Sequence, residues 1–334
     1  MMNESNLPEL IRVSIGSAIV LGLAQGNLDA FPTTAYLLTY RKGKCTANCG
    51  FCPQARNSKA RADMLSRVTW PAFSTLQVVE GIAKAVRQNK IKRVCVQALN
   101  YPTVFDDVLS IVASIRSKCH IPISVSCQPV NEDTMKKLAT AGVDRIGIPL
   151  DAATGEIFDK IKGKAASGPY VWEKQLEILG NAVEIFGKNM VSTHLIVGLG
   201  ETEKEMAEII QRCVDMGVFP GLFAFTPISG TALESSLPPS LARYRRIQLA
   251  RYLIVEGKSR IENMRFNGDG EIVDFGASLD VLNTAMSSGV PFLTSGCPDC
   301  NRPYYNEKPS GPLYNYPYMP TTDEIEKIAK VFKR

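Results

Sequence analysis

Histidine and tryptophan are scarce in this chain, and neither sign of charge is in large excess. The 334 residues include only two histidines and two tryptophans, and 38 Lys and Arg oppose 33 Asp and Glu. Two histidines leave little material for hydrolytic catalysis by His and Asp. A formal charge of +5 is typical of a mixed surface and excludes a polycation that coats nucleic acid.

Long hydrophobic runs are also missing. The most apolar stretch near the N-terminus, 10–23, is interrupted by Arg12, Ser14, Gly16 and Ser17 and is preceded by no basic leader. It is shorter than the roughly 20 residues that a membrane span requires. We interpret it as the entry helix of a cytoplasmic protein with no membrane or nucleic-acid partner.

Cysteine, by contrast, is abundant. The nine cysteines are Cys45, Cys49, Cys52, Cys95, Cys119, Cys127, Cys213, Cys297 and Cys300. An odd number in a chain too large to need disulfide staples argues against an oxidising compartment. Thiolate ligands for a metal are the better explanation.

Short β-like runs alternate with helical patterns along most of the chain. The predicted strands cover 35–39, 92–98, 121–126, 144–150, 190–197, 221–226, 263–267 and 290–294. Helix signals agree with this alternation: Asn131 opens a helix that Gly142 stops, and Gly217 ends another. Eight β–α repeats predict an α/β fold, a single (β/α)8 TIM-type barrel. A six-strand partial barrel with a separate C-terminal domain is the alternative.

The predicted organisation has three parts: an N-terminal helical cap over 1–30, the barrel core over 31–296, and a C-terminal segment over 297–334. The last part contains a Cys-x2-Cys motif, a Tyr/Pro-rich extension and a final helix. The extension, 301–320, holds five prolines and five tyrosines, so it cannot be a regular helix or a central strand. We expect it to lie over the barrel as an arm.

Alternation within the strands predicts which side chains face the barrel lumen. The aliphatic residues of 92–98 should face the helices, which turns the intervening polar residues inward. The predicted lumen residues are Arg93, Cys95, Gln97, Ser124, Ser126, Arg145, Asp151, Ser192 and His194. Such a lumen is too polar for a purely structural core.

Three cysteines follow the first predicted strand as Cys45-x3-Cys49-x2-Cys52. Asn48 and Gly50 between them tolerate tight backbone turns. Three thiolates in this spacing can hold three corners of a 4Fe-4S cube and leave the fourth iron without a protein ligand. A zinc site would instead need four protein ligands in paired spacings.

This motif, with Phe51 directly before its last cysteine, resembles that of the radical S-adenosylmethionine (radical SAM) enzymes. The resemblance implies a parallel barrel in which the open iron is chelated by S-adenosylmethionine (SAM). One electron from the cluster then cleaves SAM to a 5′-deoxyadenosyl radical, which abstracts hydrogen from an unactivated carbon. The protein would supply orientation and exclusion of water.

Further motifs resemble the biotin synthase branch: Cys52-Pro53-Gln54, Asn100-Tyr101-Pro102, Leu150-Asp151 and the segment 196–202 (IVGLGET). By this resemblance, Asp151 would contact the SAM ribose, and the backbone of Ile196 and Gly198 would lie against the adenine. Asn100 and Phe51 would line the same cleft. A helix N-cap is the alternative role for Asp151.

The chain departs from that branch in its second cluster. Biotin synthases hold a sulfur-donating cluster with three strand cysteines and one arginine. Cys95 and Arg265 match two of these positions, whereas Ser124 and Ser192 occupy the others. The chain therefore cannot bind such a cluster with that ligand set.

A second cysteine pair, Cys297-x2-Cys300, follows the eighth predicted strand. In a closed barrel this strand neighbours the first, so we expect the pair beside the Cys45 loop, where it would bind an auxiliary iron–sulfur cluster. A zinc knuckle or a redox dithiol is the alternative. Cys95 is the preferred third thiolate, unless it is only a small buried hydrophobe.

The sequence evidence for the remaining candidate site residues is weaker. His194 replaces a residue that is usually glycine in the fifth-strand motif; it is either a satisfied buried histidine or, like Arg265, a catalytic candidate. Cys119 and Cys213 lie late in helices and are expected to pack. Cys127 should point away from the lumen.

A biotin-synthase-like body with a C-terminal Cys-Pro-Asp-Cys resembles most closely the two-component lipoyl synthases. This implies a sulfurtransferase that inserts sulfur into a protein-bound octanoyl chain. The implied partners are an octanoylated lipoyl-carrier domain, a paralogous radical SAM protein, and a reductant such as ferredoxin or flavodoxin. Biotin synthase, a rearrangement or maturase enzyme of the same branch, and a non-enzymatic iron–sulfur protein are the alternatives.

Overall fold

The structure, a computed structural model, describes residues 7–128 and 130–332. Its main sheet has eight strands: β1 (Leu10–Val13), β2 (Thr34–Thr39), β5 (Ala72–Ser74), β6 (Arg93–Gln97), β7 (Ile123–Ser126), β8 (Arg145–Gly147), β9 (Val191–Val197) and β10 (Val218–Ala224). They are hydrogen-bonded side by side in the order β10-β9-β8-β7-β6-β2-β1-β5. Six of these strands, β2 and β6 to β10, are mutually parallel. At the β2 edge, β1 pairs antiparallel with β2, and β5 pairs antiparallel with β1.

Most helices cover the outside of the parallel strands, and the last two pack against a neighbouring helix. They are α1 (Ile15–Val20), α2 (Thr75–Arg87), α3 (Val104–Lys118), α4 (Glu132–Thr140), α5 (Gly155–Ile161), α6 (Trp172–Phe186), α7 (Glu203–Asp215), α8 (Leu241–Val255), α9 (Leu279–Ser288) and α10 (Thr322–Val331). Asn131 caps α4, as the local sequence predicts, and Thr202 with Glu205 forms a capping box on α7. The α/β barrel-type fold is as predicted.

Two of the eight predicted strands lie outside this sheet. Arg265–Phe266 (β11) pairs with Ile272–Asp274 (β12) in a separate small hairpin, whose turn is held by Asn267. Val290–Phe292 is a 3-10 helix, because it starts at the left-handed Gly289 and contains Pro291, which has no N–H for a sheet. A two-stranded sheet of Met64–Leu65 (β3) and Val68–Thr69 (β4) completes the strands of the described ranges.

The C-terminal segment, and not a seventh and eighth parallel strand, fills the gap between β10 and β2. On the β10 side, Leu222 N donates to Ser295 Oγ at 2.7 Å. On the β2 side, Thr34 Oγ1 donates to the Asp299 carbonyl at 3.0 Å, and Thr33 N donates to Asn301 Oδ1 at 3.1 Å. This segment closes the barrel with irregular backbone.

The N-terminal prediction of a helix over 10–23 is wrong. Leu10–Val13 forms β1, and only Ile15–Val20 is helical. Residues 11–13 are fully or almost fully buried against the sheet, which a surface helix could not achieve. Within the described ranges, no helix is long and apolar enough to cross a membrane.

The Tyr/Pro-rich extension packs as an irregular arm. The Arg245 guanidinium donates to the carbonyls of Leu313 and Tyr314, and Tyr314 Oη donates to the Pro239 carbonyl at 2.7 Å. Arg245 is 1% exposed, so α8 is buried on the barrel side and on the arm side. This explains why α8 lacks a polar face.

Candidate functional site

The loop after β2 carries Cys45, Cys49 and Cys52 at the carboxyl end of the parallel strands. Asn100 N donates to Cys45 Sγ at 3.1 Å and Ala47 N does so at 3.4 Å. Burial raises the pKa of the Cys49 thiol, which the positive charge of Lys162 lowers in part, and burial raises the pKa of Cys52 to about 12. Buried thiols with these pKa values stay protonated at neutral pH unless a cation takes the place of the proton.

Backbone contacts fix the shape of this loop. Lys44 Nζ donates to the carbonyls of Pro53, Ser58 and Ala60 at 2.6–2.9 Å. Gly50 N donates to the Ile161 carbonyl at 2.7 Å. The loop is therefore anchored both to its own C-terminal continuation and to the end of α5.

Asp151 and Asn100 lie beside the loop at the same end of the barrel. Asp151 is 5% exposed, adopts a left-handed φ of 65° and forms an ion pair of 2.6 Å with Lys162. Asn100 Nδ2 donates to Tyr170 Oη at 3.2 Å. Asp151 does not cap a helix, because Thr154 caps α5, so the alternative role is wrong.

The end of β9 forms another wall of this region. Ser192, His194 and Ile196 face inward, between the buried residues that alternate with them along β9. Gly198 follows with a φ of 105°, and its N–H donates to Glu201 Oε1 at 2.8 Å. Only glycine adopts this backbone without strain.

A cavity runs through the lumen from the cysteine loop to the opposite end of the sheet. Its volume is about 190 Å³. Its wall includes four residues singled out above: Phe51, Asp151, His194 and Ile196. Most of the other lumen residues predicted from alternation also line it: Cys95, Gln97, Ser124, Ser126 and Ser192.

Cys95, Cys297 and Cys300 meet at the amino-terminal half of the strands. Ser124 Oγ donates to Cys297 Sγ at 3.3 Å, and the Tyr36 hydroxyl lies 3.4 Å from Cys300 Sγ. Burial raises the pKa of the Cys95 thiol, and the nearby Cys297 and Cys300 raise it further. Cys95 therefore lies near this pair, and its role as a third thiolate ligand stays a prediction.

The predicted position of the pair beside the Cys45 loop is wrong. Cys297 and Cys300 contact residues near the starts of β2, β6 and β7, whereas the Cys45 loop follows the end of β2. The difference arises because 297–300 follows an irregular segment and not the end of a parallel strand. Arg93, whose Nε donates to the Pro298 carbonyl at 3.0 Å, holds that segment in the lumen.

Arg265 and His194 have different outcomes. The Arg265 side chain is 78% exposed and pairs with Asp274 on the β11–β12 hairpin, so this catalytic candidate lies outside the cavity. His194 lines the cavity, and burial lowers its pKa to about 4, which keeps the imidazole neutral at pH 7.

The other cysteines pack elsewhere. Cys127 and Cys213 are buried in the apolar core, and Cys119 follows α3, with its thiol directed at the Ile115 carbonyl. All nine cysteines lie in the described ranges, and none is in a disulfide.

Residues 41–213, just over half of the chain, match the family model described as the radical SAM superfamily. The chain belongs to the radical SAM superfamily.

Curated relatives of this radical SAM protein include biotin synthases. That of Christiangramia forsetii is 23% identical over 273 residues, which is 79% of this chain and 70% of the relative. That of Bacillus cereus is 28% identical over 203 residues, or 59% of this chain and 57% of the relative.

Among solved structures, the FeFe-hydrogenase maturase HydG from Carboxydothermus hydrogenoformans matches with a TM-score of 0.50 and 19% identity over 68% of this chain. A second HydG structure matches with a TM-score of 0.51 and 13% identity over 72% of this chain. The chain spans about half the length of these structures. At such identity they support the fold alone.

Membership in the radical SAM superfamily implies SAM and a 4Fe-4S cluster, and the loop of Cys45, Cys49 and Cys52 fits such a cluster. Three thiols project from one anchored loop, and two backbone N–H groups already point at Cys45 Sγ. In the described ranges, no three His, Cys, Asp or Glu side chains converge on a single-ion site. Cubane ligands need not converge in this way, since each binds a different iron.

Two buried cations near the cavity were not singled out by the sequence analysis. Lys162, in Ile161-Lys162-Gly163-Lys164, looks like an ordinary surface lysine in the sequence. Arg302 lies in the arm, and its guanidinium carbon is 3.7 Å from the centroid of the Phe223 ring. Neither has a recognisable sequence signal. The partners of Lys162 lie within 149–170 but surround it only once that segment has folded, and Arg302 meets Phe223 from a distant part of the chain.

Proposed function

We propose that this radical SAM protein is a lipoyl synthase component, a sulfurtransferase that inserts sulfur into an unactivated C–H bond of a protein-bound octanoyl chain. The observation that carries the proposal is the position of the cavity between two separate groups of cysteines. One group stands at the mouth of the barrel and the other at its floor. A substrate carbon in this cavity would face both.

The distance between the two cysteine groups has an upper bound, because β6 and the residues after it connect them. Asn100, whose N–H donates to Cys45 Sγ, is five residues after Cys95 on the same chain. Five residues span at most about 18 Å even when fully extended. An acyl chain lying along the lumen could therefore reach from one group to the other.

The cavity wall suits an aliphatic chain. Phe219, Phe223 and Phe225 on or beside β10 line one side, and Val125 lines another. Apolar walls with a few placed polar groups are typical of small-molecule sites. His194 is neutral at pH 7 and adds no charge to this wall.

In this proposal, Cys45, Cys49 and Cys52 hold the radical SAM cluster, and Phe51, Asn100, Asp151, Ile196 and Gly198 hold SAM. Cys95, Cys297 and Cys300 hold an auxiliary iron–sulfur cluster. When bound, these groups supply hydrogen abstraction from carbon and the inserted sulfur. The protein orients the acyl chain and keeps water out of the lumen.

The partners follow from the chemistry. The substrate is the octanoyl group on a lipoyl-carrier domain, and a reductant such as ferredoxin or flavodoxin supplies electrons. A paralogous radical SAM protein would complete the second sulfur insertion. We place the protein in the cytoplasm, where thiols remain reduced.

Iron content and product mass test this function separately. After anaerobic reconstitution with iron and sulfide, the wild-type protein should bind about eight irons, and a C297A/C300A variant about four. C213A, which removes a buried core thiol, is the matched control and should keep about eight. About four irons in the wild-type protein would contradict the auxiliary cluster.

The product assay uses an octanoylated carrier peptide, SAM and a reductant, with and without the paralogue. We expect the peptide to gain the mass of sulfur, and C297A/C300A to abolish this gain while 5′-deoxyadenosine still forms. No sulfur addition under either condition would refute the lipoyl assignment.

Biotin synthase is the second candidate, since curated relatives of this chain are biotin synthases. In the same assay, sulfur addition to the sulfur-free precursor of biotin, but not to the octanoyl peptide, would favour it. Ser124 and Ser192 in the lumen speak against it, because biotin synthases have cysteine there by the resemblance described above.

A further inference from the structure

We propose that Lys162 is a positioning residue that fixes the Asp151 carboxylate at the cavity and couples it to the loop of Cys45, Cys49 and Cys52. This inference rests on the SAM and cluster assignments of the proposed function. It does not depend on sulfur insertion.

The surroundings of Lys162 are built to hold a cation. Its side chain is 0% exposed, and its Nζ lies 2.6 Å from Asp151 Oδ2 and donates to the Pro149 carbonyl at 2.9 Å. The same Nζ lies 5.3 Å and 5.0 Å from the ring centroids of Phe158 and Tyr170. A buried ammonium is costly unless it is paired and hydrogen-bonded, and here both conditions are met.

Asp151 is held in one conformation by its backbone and by this ion pair. Asp151 N donates to the His194 carbonyl at 2.7 Å, and Ile196 N donates to the Asp151 carbonyl at 2.9 Å. The left-handed φ of 65° persists because both the N–H and the carbonyl of Asp151 are hydrogen-bonded to β9. The ion pair uses one of the two carboxylate oxygens, so the other can accept from a ligand hydroxyl.

The same lysine is joined to the cysteine loop. It follows Ile161, whose carbonyl accepts from Gly50 N at 2.7 Å, within the Cys49-to-Cys52 turn. The Tyr170 ring beneath Lys162 carries the hydroxyl that accepts from Asn100. A displacement of Lys162 would therefore reach the loop and the carboxylate together.

Replacing Lys162 should weaken SAM binding more than turnover. A lost hydrogen bond to a charged group corresponds to about a ten- to hundredfold loss of affinity, so we expect this rise in the SAM dissociation constant of K162M. The KM for SAM in 5′-deoxyadenosine formation should rise in parallel, whereas kcat at saturating SAM should change by less than about threefold. Binding is measured by calorimetry on the anaerobically reconstituted protein.

K160M is the matched control. Lys160 lies two residues earlier, near the end of α5, but its side chain is 65% exposed and pairs with Glu156 at the surface, so SAM affinity should not change. K162Q keeps a hydrogen-bond donor without the charge and should show a smaller loss than K162M.

A folded K162M that binds SAM as tightly as the wild-type protein would overturn the proposal. If K162M does not fold, wild-type SAM affinity in K162Q would overturn it in the same way. Because no acyl substrate is present, failure of sulfur insertion would not alter this result.

Discussion

Gly198 offers a direct test of how the end of β9 is shaped. Its φ is 105°, and a Cβ placed there would lie 2.8 Å from Pro239 Cδ and 3.3 Å from Phe225 Cβ. The proline ring cannot rotate away. A G198A substitution therefore combines backbone strain with a steric clash.

Two other glycines separate these two effects. Gly200 has a φ of 113°, but a Cβ there meets no atom within 4 Å, so G200A carries the strain alone. Gly180 lies within α6, where a Cβ also has open space and the backbone is helical, so G180A carries neither effect.

The expected changes in the free energy of unfolding follow from these contacts. Strain in a sparsely populated backbone region costs about 1–3 kcal/mol, which is the expected loss for G200A. Overpacking costs a further ~1–3 kcal/mol, so G198A should lose about 2–6 kcal/mol. G180A should gain about 0.5–1 kcal/mol, because alanine favours the helix.

Urea unfolding followed by circular dichroism measures all three variants under one protocol, and the midpoints are comparable if the slopes agree. A loss in G198A no larger than that in G200A would refute the clash with Pro239. A loss in G180A would refute the assignment of open space in α6.

Three further predictions use other parts of the chain. Burial raises the pKa of Glu307 to about 7 from 4.5, against the opposing charge of Arg302. A raised carboxyl pKa stabilises the folded state fully below pH 4.5, and this stabilisation is lost as the pH rises through 7. Glutamine stays neutral at every pH. In urea unfolding at pH 8, E307Q should therefore be more stable than the wild-type protein by up to ~3 kcal/mol. If the difference in unfolding free energy between E307Q and the wild-type protein is the same at pH 5 and pH 8, the burial of this carboxylate is contradicted. R245L should accelerate amide exchange over 313–316, since it removes the guanidinium from two arm carbonyls. Unchanged exchange there would show that the arm is held by other contacts. R265A should leave iron content and SAM affinity unchanged, because that side chain pairs with Asp274 at the surface; a loss of either would show that Arg265 reaches the lumen.

Local patterns predicted the elements whose formation depends on neighbouring residues. The parallel strands β2 and β6 to β10 are predictable because they are short apolar runs between helix signals. The capping residue Asn131 located the start of α4. Alternation placed Cys95, Ser124 and His194 in the lumen, since side chains of a strand alternate between its two faces.

The predictions failed where long-range packing decided the conformation. Leu10–Val13 looks helical but pairs with β2 and β5, because the edge of the sheet offers hydrogen bonds that a short apolar segment takes. The segment 263–267 looks like a strand, but the following Asn-Gly-Asp-Gly turns it into a hairpin.

The sequence by itself determined the family-defining chemistry. Cys45, Cys49 and Cys52 lie within one loop, so their spacing can be read from the sequence without knowing the fold. Only the tertiary structure decided where the second group of cysteines lies, since Cys95 and Cys297 are about two hundred residues apart and meet through the closure of the barrel. Only the tertiary structure buried Lys162 against Asp151, because the environment of a lysine is set by packing and not by its neighbours in sequence.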